Sequence, residues 1–485
     1  MSASSTAAKH ARGLARRVIR RRLLPRWRDP GESWWAMARR RWRARPPIVI
    51  DLIVGGAAFL ILGAGRFLSL ANLVVNAIFI CYFFRHAAFA IAAARWTRID
   101  LDVGAIDLGY APPLTVLVAC HNEEAVVTPL IKALSGLSYD RRTLQMIIID
   151  DGSGDDTGKL LDEGAAGHDD ILVLHRPPGL GGGKSGALNY ALDRLTGEVV
   201  VIFDADHKPR ADCLQRLARH FRDPQTAAVM GRCWISNASE TWLAGAIYVD
   251  YLSGYLVNEY GRQALFELPA YGGANCAVRA SVLEALGGWN EHTVTEDTDL
   301  TLRCLLNGYR VRFDPTATDA EEGTTNVRRF IKQRYRWARG HQGVFRDYWK
   351  QLFRCRYLTP AEKVESIMFL LVYHVPVAIA ASAILAVVRL CGVGASFTVI
   401  DVLPLAGLLF VGPMSELAVG LMVDRAPRRW VFSMMFVYPL FVLFTVVCTR
   451  SWLDGALGRK YTWVKTVRSG FQATEDADAP ADGAS

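Results

Sequence analysis

Five stretches of the chain are apolar for long enough to read as membrane helices. Ile48 to Gly65 and Leu68 to Ala94 lie near the N-terminus, and Val364 to Leu390, Val402 to Val423 and Val431 to Val447 lie near the C-terminus. A helix crosses the hydrocarbon layer with roughly 20 apolar residues, so each stretch predicts a span. The first two are separated by little more than Arg66 and Phe67, which predicts a helical hairpin. Between the two clusters, from about Arg95 to Lys363, apolar and polar positions mix as in a globular domain. This block opens with short apolar runs, Leu114 to Ala119, Gln145 to Ile149, Ile171 to Leu174 and Val199 to Phe203, each followed by a helical pattern. Strand and helix in alternation predict a doubly wound α/β sheet of Rossmann-like type, which binds its ligand at the carboxyl ends of its strands. Polar residues collect at those four ends: "CHNEE" from Cys120, "DDGSGDDT" from Asp150, a glycine-rich loop after Leu174, and "DADH" from Asp204.

Charge orients the spans. The chain of 485 residues carries a net charge of +9, and its first 46 residues are rich in Arg with only Asp29 and Glu32 as acids. A basic arm that abuts a span, and that carries Trp27, Trp34, Trp35 and Trp42, is read by the positive-inside rule rather than as a nucleic-acid-binding arm. The N-terminus and, after the hairpin, the central block are therefore expected in the cytoplasm, with no nucleic-acid partner. A cleaved signal peptide does not fit, because the apolar region starts late and a second span follows at once. Nine cysteines without C-x-x-C pairs fit a reducing compartment and no disulfide frame. The expected organisation is a basic arm at 1–46, two spans at 47–95, a cytoplasmic domain with an interfacial helix at 96–345, and about three spans at 346–450. A basic amphipathic segment at 451–470 and an acidic disordered tail at 471–485 follow. Three spans after a cytoplasmic domain would leave the basic segment outside. One of them is therefore expected to be re-entrant, and Val402 to Val423, broken by Gly412, Pro413 and Glu416, fits that part.

The loop "PPGLGGGKSGALN", Pro177 to Asn189, has the chemistry of a phosphate site, and three machines use such loops. Gly183-Lys184-Ser185 ends like a P-loop, but Pro178 stands where its opening glycine belongs. Gly181, Gly183 and Gly186 have the dinucleotide-binding spacing, although either fingerprint sits after the first strand of its unit and here two units precede it. A nucleotide-sugar transferase also needs a diphosphate site. Asp204 and Asp206, one residue apart after a strand, can reach one hard cation such as Mg or Mn, or form merely a polar loop. Asp150 and Asp151 can accept from uracil or ribose, or cap the next helix with Ser153 and Thr157.

In order, "VLVACHNEE", "IIIDDGS", "GGGKSGALN", "FDADH", "TEDTDLTLR" and "QRYRW" resemble the motifs of family 2 glycosyltransferases, from about Pro112 to Gly343. Within that family the chain resembles the membrane-embedded processive synthases of cellulose, chitin, hyaluronan and poly-N-acetylglucosamine. The resemblance implies a GT-A fold and a divalent cation held by Asp204 and Asp206. It places Lys184, Asn189, Asp151 and Asp204 at the nucleotide-sugar. Asp297 is implied as the catalytic base with Glu296 beside it, although a capped helix start would also explain Thr295, Glu296 and Asp297. Gln333, Arg336 and Trp337 fit Q-x-x-R-W on an interfacial helix from about Val327 to Gly343. Arg336 would meet diphosphate oxygens, and Trp337 would stack on a sugar or anchor at the membrane interface. "YGGANCAVR" resembles the acceptor-site segment and implies Gly273 and Asn275 there. The aromatic stretch Trp242 to Tyr260 reads as packed helix rather than sugar site, although it lies where acceptor contacts would be expected. No gating-loop signature is found between Asp314 and Phe330, where Glu321 and Glu322 are candidate lid residues.

The activity implied is inverting transfer from UDP-N-acetylglucosamine or UDP-glucose onto a growing β-linked polysaccharide, processive and coupled to export, by a multi-pass protein of the inner (plasma) membrane. Its partners would be the nucleotide-sugar donor, the acceptor, membrane lipids and an unidentified export partner. The alternative is transfer of one sugar to a polyprenyl phosphate or another lipid. A transporter driven by an NTP-binding domain is the reading from another class.

Overall fold

The computed structural model describes residues 47–97, 109–392 and 399–459. The basic arm, its four tryptophans, the segment 460–470 and the acidic tail lie outside the described residues. The chain divides into two compact units, Met1–Val54 and Gly55–Ser485, and the sheet, the site and their contacts belong to the second.

The four expected strands form within a residue of their predicted bounds: β1 Leu114–Cys120, β2 Leu144–Asp150, β3 Ile171–His175 and β4 Val199–Asp204. They pair in parallel in the order β3-β2-β1-β4. Val116 and Val118 pack into one core with Leu130, Leu134 and Leu161, while Leu117, Ile147 and Ile149 pack into a second core with Ala187, Leu188 and Leu300. Both faces are covered by helices, which is why these strands read as continuous apolar runs rather than alternating ones.

Beyond β4 the sheet is mixed. Strand β7 (Cys276–Arg279) lies antiparallel to β4 and to β6 (Thr226–Ile235), which pairs in parallel with β8 (Arg310–Glu321), and the short β5 (Lys208–Pro209) closes the edge. The change of direction leaves the carboxyl ends of β1, β2 and β4 side by side: Cys120 is in register with Asp150, and Ala119 with Asp204. That junction is where an open α/β sheet places its ligand.

Among the described residues, three helices are long and apolar enough to cross a membrane: Arg66–Arg95, Leu403–Val423 and Arg429–Ala456. Pro360–Leu371 and Val375–Leu390 are bent by 67° and would form a fourth if they count as one span. The bend thus falls in Val364 to Leu390. In the stretch that looked re-entrant, the irregularity is a wide helical turn, Gly407–Val411. The first helix, Pro47–Ala92, breaks at Gly63, where φ is 74°, rather than at Arg66 and Phe67. Only glycine enters that region without steric cost.

The segment after β8 is a helix longer than its motif, Val327–Arg354. Its start is capped by Asn326, whose side chain accepts from the amides of Arg328 and Arg329 at 2.9 and 3.3 Å. Its one-sided apolar pattern lies against Leu302, Leu305 and Leu370 through Val344, Tyr348 and Leu352. Gln342 bonds the carbonyls of Tyr373 and Cys448 at 3.0 and 3.1 Å and accepts from Ser451 at 2.9 Å. The helix is thereby fixed to the apolar helices that follow it.

Candidate active site

One cavity of about 910 Å³ runs from the strand ends to the apolar helices. Asp151, Lys184, Asp204, Asp206, Gly273, Glu296, Asp297, Gln333, Arg336 and Trp337, all singled out in the sequence, line it.

At the β2 end, Asp150 does structural work: it accepts from the Ser153 amide at 3.0 Å and faces His175 Nδ1 at 3.1 Å. Asp151 pairs with Arg176, a residue the motifs did not flag, and Arg176 also donates to the Gly181 carbonyl at 2.6 Å. The glycine loop takes left-handed φ at Gly181, Gly182 and Gly183 (70°, 80° and 53°), then enters the helix Gly183–Tyr190. Lys184, at that helix start, pairs with Asp204 and donates to the Gly273 carbonyl at 2.6 Å. Burial works against its charge, yet Asp204 and Glu296 outweigh burial and hold the ammonium above its usual range.

Asp204, Asp206 and His207 offer ligand atoms all within 4.8 Å of one another, a grouping that two carboxylates make suitable for a hard cation. His207 is buried and pairs with Asp319. Desolvation disfavours its charge, but Asp319 more than compensates and its pKa lies well above normal. Asp204 and Asp206 supply the carboxylates such an ion needs, and His207, held through Nδ1 by Asp319, keeps Nε2 turned to Asp204 at 3.9 Å.

Thr295 precedes the helix Glu296–Leu306, whose first turn holds Glu296 and Asp297. Burial raises both carboxyl groups, and the Asp297 charge takes Glu296 further, to about 7. Asp297 is held back from a larger rise because Oδ1 accepts the Thr298 amide at 2.6 Å, with Lys184 and Arg336 also favouring its ionised form. A Cβ at Gly273 would stand 3.3 Å from Asp297 Oδ2, so the missing side chain keeps the approach to this carboxylate open. The long helix comes close behind the same turn because it has Gly340 there: a Cβ would lie 2.5 Å from Thr295 Oγ1. Tyr348 donates to Asp299 at 2.7 Å and His341 Nε2 lies 3.3 Å from Thr298 Oγ1, so the two helices hold each other in place.

Across the cavity, Arg334 bonds Asp250 at 2.9 Å and lies 4.4 Å over the Trp337 ring. Trp337 is half-buried. Tyr251 and Tyr255 of the aromatic stretch, which lies where acceptor contacts are expected, also line the cavity.

Two expected ligand residues do not. Asn189 donates to the Trp289 carbonyl at 2.8 Å and accepts from its amide at 2.9 Å, fixing the turn before Glu291. Asn275 is fully buried, with its amide on the carbonyls of Arg232 and Ala317 at 3.1 and 2.9 Å. Conversely, the motifs missed Arg85, His86, Asn258, Glu259, Arg262 and Glu416 at the membrane end of the cavity. Their one sequence signal is charge inside an apolar run, as in "FFRHAAF" and at Glu416.

Residues 199–450 match the family described as glycosyl transferase family group 2. A beta-monoglucosyldiacylglycerol synthase of Trichormus variabilis is 32% identical over 379 residues, which are 75% of this chain and 78% of that protein. A poly-beta-1,6-N-acetyl-D-glucosamine synthase of Staphylococcus aureus is 27% identical over 262 residues, 53% of this chain and 62% of that one. The chain spans between 50% and 78% of the length of the curated relatives it matches, 59% in the case of a probable glycosyltransferase of Bacillus subtilis. A mannosyltransferase of Pyrobaculum calidifontis, solved with GDP-Man and Mn2+, aligns with a TM-score of 0.52 at 18% identity, over 80% of this chain and 100% of that one. That likeness is one of fold.

Proposed function

Because the chain belongs to glycosyl transferase family group 2 and has its GT-A-like α/β fold, we propose that it transfers one sugar from a nucleoside diphosphate sugar to a hydroxyl of a membrane lipid, inverting the anomeric centre. The observation that carries this reading is the lining of the cavity. It passes from the carboxylates of Asp204 and Asp297 to Val375, Leu408, Val437, Phe441 and Phe444 on the apolar helices, a path suited to an acceptor that arrives from the bilayer. The relative that matches three quarters of the chain carries a glycolipid synthase name, which supports the same choice.

In this mechanism Arg176 holds Asp151 toward the nucleoside, and Arg336 and Lys184 face the diphosphate. Asp297 accepts the proton of the attacking hydroxyl, and Trp337 supplies a flat face for the sugar. Asp204 and Asp206 would hold Mg2+ or Mn2+, which when bound neutralises charge on the leaving diphosphate. Lys184, already on Asp204, reinforces that neutralisation from the protein side. The donors favoured are UDP-N-acetylglucosamine and UDP-glucose. In this reading the protein is a multi-pass protein of the inner membrane with its catalytic domain in the cytoplasm, which its long apolar helices support.

Processive synthesis of a polysaccharide is the second reading, favoured by Gln333, Arg336 and Trp337 in Q-x-x-R-W spacing and by the poly-N-acetylglucosamine synthase relative. Membranes containing the protein, given labelled UDP- and GDP-sugars with Mg2+ or Mn2+, distinguish the two. A product that enters organic solvent and carries one sugar is expected. A water-soluble polymer of high mass would overturn the lipid reading in favour of the processive one.

The base must be ionised to work, and its pKa is raised, so activity is lost as pH falls through the apparent pKa of the Glu296–Asp297 pair. The acid limb of kcat/KM is therefore expected above the ordinary carboxylate range. Glu296→Gln removes a neighbouring negative charge and should move that limb to lower pH. A limb that stays where it was in this variant would show that the pair does not set it.

A further inference from the structure

The membrane end of the cavity carries a polar cluster that sugar transfer, as described, does not use. Arg85 reaches Glu365 with two bonds, of 3.0 and 2.8 Å, and Asn258 with a third at 3.4 Å. Arg262 reaches the same Glu365 at 3.2 Å and Glu259 at 3.4 Å. His86 Nδ1 stands 2.7 Å from Glu416 Oε1, while Asn258 donates to Glu416 Oε2 at 2.9 Å. Glu416 is 4% exposed and lies among Leu408, Pro413, Leu417 and Leu440 on the cavity wall. A carboxylate in such surroundings is costly and marks a functional site.

Among the described residues, the charges there do not leave a cation over. Both guanidiniums are tied to Glu365 and Glu259, and Glu416 adds a third carboxylate, met by the His86 imidazole, the Asn258 amide and the Ser253 hydroxyl. A lipid phosphate brought to this end would meet a like charge and no surplus positive partner. A neutral hydroxyl on its way to Asp297 can instead donate to Glu416. We propose that Glu416, with His86 and Asn258, selects the acceptor, admitting an uncharged lipid alcohol and excluding lipids with an anionic head. This assignment rests on the lipid-acceptor reading above.

The test uses the full chain in vesicles that contain equal amounts of a diacylglycerol and a polyprenyl phosphate, with labelled donor, and reads the ratio of the two glycosylated products. The unmodified protein is expected to favour diacylglycerol by about tenfold or more. Glu416→Gln should reduce that preference about tenfold, and Glu416→Asp, which keeps the charge, should retain it. If Glu416→Gln fails to accumulate, His86→Gln is read by the same ratio. An unchanged ratio in both Glu416→Gln and His86→Gln, or an unmodified protein that prefers the phosphate lipid, overturns the assignment while leaving a lipid acceptor in place. A polymer from the unmodified protein would instead remove the lipid reading itself.

Discussion

In the Asp297→Asn protein, sugar transfer is expected to fall by about 10³-fold, within the range for loss of a general base, while the donor still binds. The substitution keeps the side chain's size and leaves an oxygen to accept the Thr298 amide, so the start of the Glu296–Leu306 helix is preserved. What it removes is the group able to take a proton. Asp297 lies on the cavity wall with Gly273 opposite, where a Cβ would stand 3.3 Å from Oδ2, so a hydroxyl can approach that oxygen without displacing a side chain. Product formation and donor affinity measured on one preparation check the prediction. Transfer at the unmodified rate would remove Asp297 from its role.

The second large effect is expected at Asp206. Asp206→Asn should weaken donor binding about 10- to 100-fold when Mg2+ or Mn2+ is present and change it little when a chelator is added. Asp204 already faces Lys184, so an ion at this strand end depends on Asp206 for a second full negative charge. His207 carries no negative charge in either protonation state and so does not make up the loss. Calorimetric titration of UDP with and without metal reads the difference. Equal metal-dependent affinity in the variant would show that the ion is held elsewhere.

The parallel half of the sheet was legible because β1, β2 and β4 are buried on both faces and bounded by polar turns; the placing of Asp151, Asp204 and Asp206 followed from where those runs stop. The antiparallel β7 was not, because its four residues carry no periodicity of their own and acquire a place only by pairing with β4 and β6. Asn189 and Asn275 sit beside motif residues in sequence, yet their amides are spent on carbonyls at Trp289, Arg232 and Ala317. A local pattern does not reveal such distant partners. The membrane-end cluster shows the same limit: Arg85 and Glu416 stand out as charges among apolar neighbours, but the partner of Arg85 lies 280 residues away. Sequence marks a buried charge as costly, and only the fold shows what compensates it.

The central claim is a single displacement at the anomeric carbon, driven by Asp297 acting on a lipid hydroxyl in the cavity that also holds the donor. Proton NMR of the purified glycolipid made from an α-linked UDP-sugar tests it most directly. The account predicts a β-linked product, seen as a large anomeric coupling for a gluco-configured sugar; an α-linked product would contradict it.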